Sequence, residues 1–261
     1  MKITIVGAGN MGGAIGMGLI AKGYEPSSIT ICDMNEEKKK AFADMGANAT
    51  SDIREGTKDA DVVIIAVKPD GFETVLPLMT DNKTAIFISI AAGVSISFIK
   101  KYLGEVKVVR VMPNTPAMLG KGMTAICSEA PVSEDDLKTA QDIFGAVGDT
   151  AIIDESQMDT IVSLNGSSPA YVYMMIEAMV RFGTDNGIDY ETARILVCKS
   201  LVGAAEMALA SDEEPATLAK RVCSPGGTTI QAVNRLNEYK FEEGLYRAME
   251  ACSKRSAEMT K

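Results

Sequence analysis

The chain has 261 residues, a formal net charge of −9 and no histidine. The acidic balance excludes nucleic acid and an anionic membrane surface as main partners. The missing histidine removes the commonest general base and the commonest transition-metal ligand. No metal site is expected, and any chemistry must rest on Lys, Asp/Glu, Tyr, Ser/Thr, Cys, backbone dipoles or a cofactor.

The length suits one large core or two domains. The longest apolar runs, Val62–Val67 and Ala85–Ile90, have strand length and are too short to span a bilayer. A single Lys followed by a glycine turn does not read as a signal peptide. Cys32, Cys127, Cys198, Cys223 and Cys252 are scattered, with no C-x-x-C. Such a set reads as reduced thiols in a cytoplasmic protein.

In chain order, strands are expected at Lys2–Val6, Ser28–Cys32, Val62–Val67, Thr84–Ile90, Lys107–Val111, Thr124–Cys127 and Thr150–Ile153. Helices are expected between them at Met11–Lys22, Glu36–Met45, Gly71–Met79, Ile96–Leu103 and Glu134–Phe144. Continuous apolar strands with helical crossovers imply an α/β fold, a mostly parallel sheet covered on both faces. From Gln157 onward no convincing strand remains. Helices are expected at Pro169–Phe182, Tyr190–Ala210, Glu214–Val222, Thr228–Asn237 and Phe241–Met259. The expected organisation is a Rossmann-like dinucleotide-binding domain over 1–160, then an all-α domain over 161–261. Long apolar helices in so short a tail suit packing on a partner.

The first strand runs directly into Gly7-Ala8-Gly9-Asn10-Met11-Gly12. This G-x-G-x-x-G, between a strand and a helix, is the cradle that a dinucleotide pyrophosphate requires. Gly7 suits the tight turn, Gly9 the close backbone approach, and Gly12 the packing of helix on strand. Ligands of such sheets bind beyond the carboxyl ends of the strands. Those ends carry Asp33, Ala66-Val67-Lys68-Pro69, Ala91-Ala92-Gly93 and Met112-Pro113-Asn114-Thr115-Pro116. Together with Gly7, Gly9, Asn10, Met11 and Gly12, the residues Asp33, Ala66, Val67, Lys68, Pro69, Ala91, Ala92 and Asn114 are the candidate cofactor contacts. Asp33 has two readings: a ribose acceptor favouring NAD, or a helix cap before Asn35-Glu36.

Two later segments read as hydroxyl-rich helix starts suited to a small carboxylate. One is Asn165-Gly166-Ser167-Ser168-Pro169-Ala170-Tyr171. The other is Cys223-Ser224-Pro225-Gly226-Gly227-Thr228-Thr229. Cys223 has no activating partner nearby in sequence and reads as inert.

Taken together, these motifs resemble the pyrroline-5-carboxylate reductase family, in family order and over essentially the whole chain. The resemblance implies NADPH- or NADH-dependent reduction of 1-pyrroline-5-carboxylate to L-proline, an amino-acid biosynthetic step. It implies that Ser167, Ser168, Ser224, Gly226, Gly227, Thr228 and Thr229 hold the substrate, with Thr229, the candidate catalytic residue, or a bound water at the ring nitrogen. It also implies a homodimer through the C-terminal helices, and allows a higher ring of dimers such as a decamer. Asn165 departs from the family, which more often has Ser there, and is expected to tune the pocket. Asp33 sits where NADPH-preferring members often have a small polar residue. One alternative is a β-hydroxyacid dehydrogenase, which needs a Lys at the start of its inter-domain helix. The segment from Glu155 to Val180 contains none. The other alternative is a non-catalytic dinucleotide sensor, which would leave the 113–116 and 225–229 loops without a role.

Overall fold

The computed structural model describes residues 1–261. Its sheet has eight strands: β1 (Ile3–Val6), β2 (Ile29–Cys32), β3 (Asn48–Thr50), β4 (Val62–Ile65), β5 (Ile86–Ser89), β6 (Lys107–Met112), β7 (Gly122–Ser128) and β8 (Gly148–Ile152). The order across the sheet is β3-β2-β1-β4-β5-β6-β7-β8. All pairs are parallel except β6–β7, which is antiparallel. Chain order reverses at β1, which pairs with β2 on one side and β4 on the other, leaving the crevice where ligands bind in open α/β sheets.

The strands are apolar on both faces because both are covered. On one face Ile3, Ile5, Ile64, Ile88 and Val111 pack with α1 (Asn10–Ala21), α2 (Glu36–Ala43) and α6 (Glu134–Phe144), through Ile15, Leu19, Phe42, Ile143 and Phe144. On the other, Val63, Ile65, Phe87 and Val108 meet α4 (Phe72–Val75) and α5 (Ile96–Leu103), through Phe72, Ile96, Ile99 and Leu103. The expected strands and helices of this half are present, with shifted ends. The expected helix 71–79 is short at α4 and finishes as a 3-10 turn at Leu76–Met79, where Pro77 lacks the N–H an α-helix needs. Strand β3 and α3 (Ile53–Thr57) were not expected. The strand is three residues long and carries no apolar run.

After β8 come α7 (Met158–Ile161), a π-turn at Val162–Gly166, α8 (Ser168–Asp185), α9 (Tyr190–Ala210), α10 (Pro215–Val222), α11 (Thr228–Glu238) and α12 (Phe241–Met259). No helix is long and apolar enough to cross a membrane. The chain forms two compact units, residues 1–169 with 251–261, and residues 170–250. This division does not coincide with the boundary expected at 160–161. Packing within the first unit explains why. Ser256 Oγ donates to Asp159 Oδ1 at 2.7 Å, and the Lys261 N–H donates to the Gly93 carbonyl at 3.0 Å. The final turns of α12 therefore belong with the sheet. In the second unit Val180, Gly183 and Ala193 are buried, but Tyr173, Met174, Phe182, Ile195, Leu196, Val202, Met207 and Leu209 are exposed. So many large apolar side chains in one small helical unit make an association surface.

Candidate active site

The glycines at the end of β1 have three different jobs. Gly7 has φ +100°, and a Cβ there would lie 2.8 Å from the Ala66 carbonyl oxygen. At Gly12 a Cβ would lie 2.0 Å from the Gly7 carbonyl oxygen and 2.9 Å from the Ala66 side chain. Both are required by the protein's own packing of loop, β4 end and α1. At Gly9 a Cβ would meet nothing within 4 Å. Gly9 is therefore not required by the protein's own packing. Gly9 is also the N-cap of α1 with no side-chain cap, so the first-turn N–H groups of the helix lack side-chain partners.

Asp33, at the end of β2, reaches back across the crevice. Its Oδ2 accepts the Ala8 N–H at 2.7 Å, and its Oδ1 accepts the Asn35 N–H at 2.8 Å. The reading of Asp33 as helix cap is corrected: Asn35 caps α2, accepting the Lys38 N–H at 3.1 Å. Asp33 instead ties the glycine loop to β2, with Lys38 Nζ 4.0 Å from its carboxylate. Gly7, Asp33, Met34, Ser51 and Val67 line a hollow of about 200 Å³ at this point. Ala66 and Val67 are half-buried beside it, while Lys68 is exposed at its edge and Pro69 starts a 3-10 turn. A polar hollow of about 410 Å³ around Lys2, Ser28, Asn48 and Glu55 includes none of the motif residues.

Further along the same sheet edge, Ala91, Ala92 and Gly93 turn away from β5. Ala92 and Gly93 line a second hollow of about 220 Å³ with Val162, Cys252, Arg255 and Met259. Cys252 Sγ lies 3.3 Å from Ser167 Oγ, which brings the 91–93 turn and the 166–168 turn to one place. Cys252 was not expected there. It is 85 residues from Ser167 and nothing in its local sequence signals the meeting.

The segment at 165–171 is not the free helix start that its Ser-Ser-Pro pattern suggests. The backbone is already helical from Met158, and the Ser167 N–H is bonded to the Val162 carbonyl at 2.8 Å in π fashion. Pro169 has no N–H to give the Asn165 carbonyl, and Ser168 Oγ takes that role at 3.2 Å. The Ser168 hydroxyl therefore bonds within its own turn. Ser167 and Ser168 are both half-buried.

Asn114 and Asn165 face each other. Asn114 Nδ2 donates to Asn165 Oδ1 at 2.9 Å, and Asn114 Oδ1 accepts the Met123 N–H at 2.9 Å. Asn165 Nδ2 donates to the carbonyls of Met112 at 2.8 Å and Met123 at 2.9 Å. Below them, Arg110 is 2% exposed on β6, and its Nη1 lies 3.2 Å from Glu155 Oε1. The same oxygen accepts the Ile96 N–H at 2.9 Å, at the start of α5. Arg110 thus pins the 155–157 turn under the site, while its Nε and Nη2 have no partner. Cys127 lies opposite Arg110 on β7. Burial and the Glu155 carboxylate push its thiol up to about 12, against the opposing pull of Arg110.

In the second unit, Ser224–Gly227 is a turn closed by the Gly227 N–H on the Ser224 carbonyl at 3.0 Å. Gly227 enters α11 without a side-chain cap, so this helix start, unlike that of α8, is free. Ser224, Gly226 and Thr228 are exposed and Thr229 is half-buried in the first turn.

Comparison with known proteins agrees with this layout. Residues 155–259 match the family model for pyrroline-5-carboxylate reductase dimerisation. Residues 2–93 match the model for NADP oxidoreductase, coenzyme F420-dependent. The chain is 38% identical to the pyrroline-5-carboxylate reductase of Escherichia coli, over 100% of this chain and 98% of that one. It is 41% identical to the Haemophilus influenzae enzyme, over 98% and 97%. The crystal structure of Plasmodium falciparum pyrroline carboxylate reductase with NADP bound superimposes with TM-score 0.93 at 30% identity, covering 100% of this chain and 98% of that one. A mostly parallel nucleotide-binding sheet followed by a helical dimerisation region, matched along its full length, makes this chain a member of the pyrroline-5-carboxylate reductase family.

Proposed function

We propose that this chain reduces 1-pyrroline-5-carboxylate to L-proline with NAD(P)H. The observation that carries the reading is the glycine loop, in which Gly7 and Gly12 are filled by protein while Gly9 is open beside uncapped α1 N–H groups. That cradle fits a pyrophosphate. When bound, the dinucleotide supplies a hydride to the imine carbon.

The chain's own residues then have modest work to do. A cyclic imine protonated on nitrogen is already an electrophile, and hydride addition leaves a neutral amine. No dedicated acid is required, which suits a chain without histidine. Residues 1–160 serve the cofactor in this reading, through Asn10 and Met11 of the loop, Asp33, Ala66–Pro69, Ala91, Ala92 and Asn114. Residues 161–261 serve substrate binding and dimerisation. Ser167 and Ser168 are substrate contacts in this reading, and so are residues of the 224–229 loop. The free first turn of α11 supports this role, and in this reading the Thr229 hydroxyl or a bound water serves the ring nitrogen. Asp33 puts negative charge where a 2′-phosphate would come, so NADH is used alongside NADPH.

The exposed apolar side chains of residues 170–250 support a homodimer through these helices, with a decameric ring of dimers as its higher assembly. The five free cysteines support a cytoplasmic setting. The β-hydroxyacid dehydrogenase alternative lacks its lysine.

The test is turnover of 1-pyrroline-5-carboxylate by purified protein with NADH and NADPH in parallel, with proline identified as product. Activity on a 3-hydroxy acid and none on the imine would reject the proposal.

A further inference from the structure

We infer that Asn165 is a positioning residue for the imine substrate, acting with Asn114 to fix the Gly166–Ser168 turn against the 113–116 loop. The inference rests on the reading that this turn holds substrate.

At the open end of the β6–β7 ladder the strands separate to let the 113–116 loop out. Both backbone groups of Met123 would there be left without partners, and the Met112 carbonyl, paired with Ala125 across the ladder, has a second lone pair to fill. The two side-chain amides supply them. Asn165 Nδ2 gives one hydrogen to each carbonyl, and Asn114 Oδ1 takes the Met123 N–H. Asn114 Nδ2 joins the pair, donating to Asn165 Oδ1 at 2.9 Å and to the Asn165 carbonyl at 3.5 Å. Asn165 is 9% exposed, so water does not substitute freely for these bonds.

The π-turn makes the arrangement reachable. One extra residue between Val162 and Ser167 turns Asn165 inward toward the sheet edge. The Asn165 carbonyl then accepts the Ser168 hydroxyl, and Ser167 is its second neighbour along the chain. Any movement of the Asn165 side chain therefore passes directly to both serines. Only an amide supplies two donors and an acceptor at this reach. A serine hydroxyl has one donor on a shorter stem, and cannot serve the Met112 and Met123 carbonyls together.

The experiment compares Asn165→Ser, Asn114→Ala and the double variant with the unaltered full-length enzyme. Measurements are steady-state kinetics well below the melting temperature, cofactor Kd by fluorescence, and Tm. For Asn165→Ser, kcat/KM for the imine should fall about tenfold to a hundredfold, because a turn shifted by a fraction of an ångström misaligns the reacting carbon. Cofactor Kd should change less than about twofold. The double variant should lose little more kcat/KM than the worse single variant, since the two amides act as one unit. A lower Tm with unchanged kinetics would make the pair purely structural and overturn the inference. So would strictly multiplicative losses, or a loss confined to cofactor Kd. Ser167→Ala and Ser168→Ala, run alongside, separate the two levels. If they reduce kcat/KM while Asn165→Ser does not, the inference fails and the substrate reading stands. If neither serine variant changes kinetics, the substrate reading itself fails. Should Asn165→Ser prove insoluble, Asn165→Gln, which keeps the amide but displaces it by one methylene, carries the same prediction.

Discussion

The Asp33 carboxylate accepts the Ala8 N–H at 2.7 Å, linking the end of β2 to the middle of the glycine loop. One residue therefore holds the shape of the glycine loop and places a carboxylate in the adjoining hollow. These roles separate by substitution. Asp33→Asn keeps an oxygen for Ala8 and removes the charge, whereas Asp33→Ser loses both. Each should raise the NADPH/NADH ratio of kcat/KM by about tenfold, the effect of removing about 1–2 kcal/mol of repulsion from a 2′-phosphate. Only Asp33→Ser should weaken both cofactors together. An unchanged ratio in Asp33→Asn would confine Asp33 to holding the loop.

The glycine loop offers a sharper contrast. Gly9→Ala should fold with a Tm close to that of the parent, because its Cβ meets no protein atom within 4 Å. Its cofactor affinity should fall by tenfold or more as the methyl occupies the phosphate's approach. Gly12→Ala should lose both Tm and affinity, since its Cβ would lie 2.0 Å from the Gly7 carbonyl oxygen. Differential scanning fluorimetry with and without cofactor reads both quantities. Equal Tm losses in the two variants would contradict the assignment of Gly9 to ligand.

The thiols give a prediction about pH. Burial, with Asp52 and Glu55 nearby, pushes the Cys32 thiol up to about 12, and Cys127 stands equally high. Both remain protonated, hence unreactive, far above the ordinary thiol range near 8.5. Iodoacetamide at pH 8.5 should leave both unmodified in the native enzyme and label them after denaturation. Because the folded pKa is raised, native structure favours the neutral thiol. That stabilisation is complete below the unfolded pKa and is lost as pH rises from there toward 12. Mass spectrometry showing native alkylation of Cys32 or Cys127 would refute their burial.

How much of this was legible beforehand differs by region. Strands such as Val62–Ile65 announce themselves because burial on both faces demands an unbroken apolar run. The glycine loop is legible because Gly7 and Gly12 each answer a separate steric demand. The start of α8 is legible only in part. Ser168-Pro169 does begin α8, with Pro169 in its first turn, but Met158–Gly166 is helical too, so this helix start is not a free one. The Asn114–Asn165 and Arg110–Glu155 pairs span 51 and 45 residues. Such bonds are fixed by how the sheet edge closes, and no local spacing encodes them. The free start of α11 lies between these cases, since two glycines without a capping side chain are visible in the sequence itself.

That helix start bears the last prediction. Thr229 is half-buried in the first turn of α11, where the Gly227 N-cap leaves N–H groups without a side-chain partner. If its hydroxyl serves the ligand, Thr229→Ala should keep the parent's Tm and cofactor Kd. Its kcat/KM for the imine should fall about ten- to a hundredfold, the loss of one hydrogen bond to a charged ligand at roughly 1.5–3 kcal/mol. Thr229→Ser retains the hydroxyl and should recover most of that loss. The opposite pattern, a lowered Tm with normal kinetics, would mean that the side chain only packs the helix start. In that case the carboxylate would be held by the backbone N–H groups and Ser224 alone, and Ser224→Ala would then carry the kinetic loss in its place.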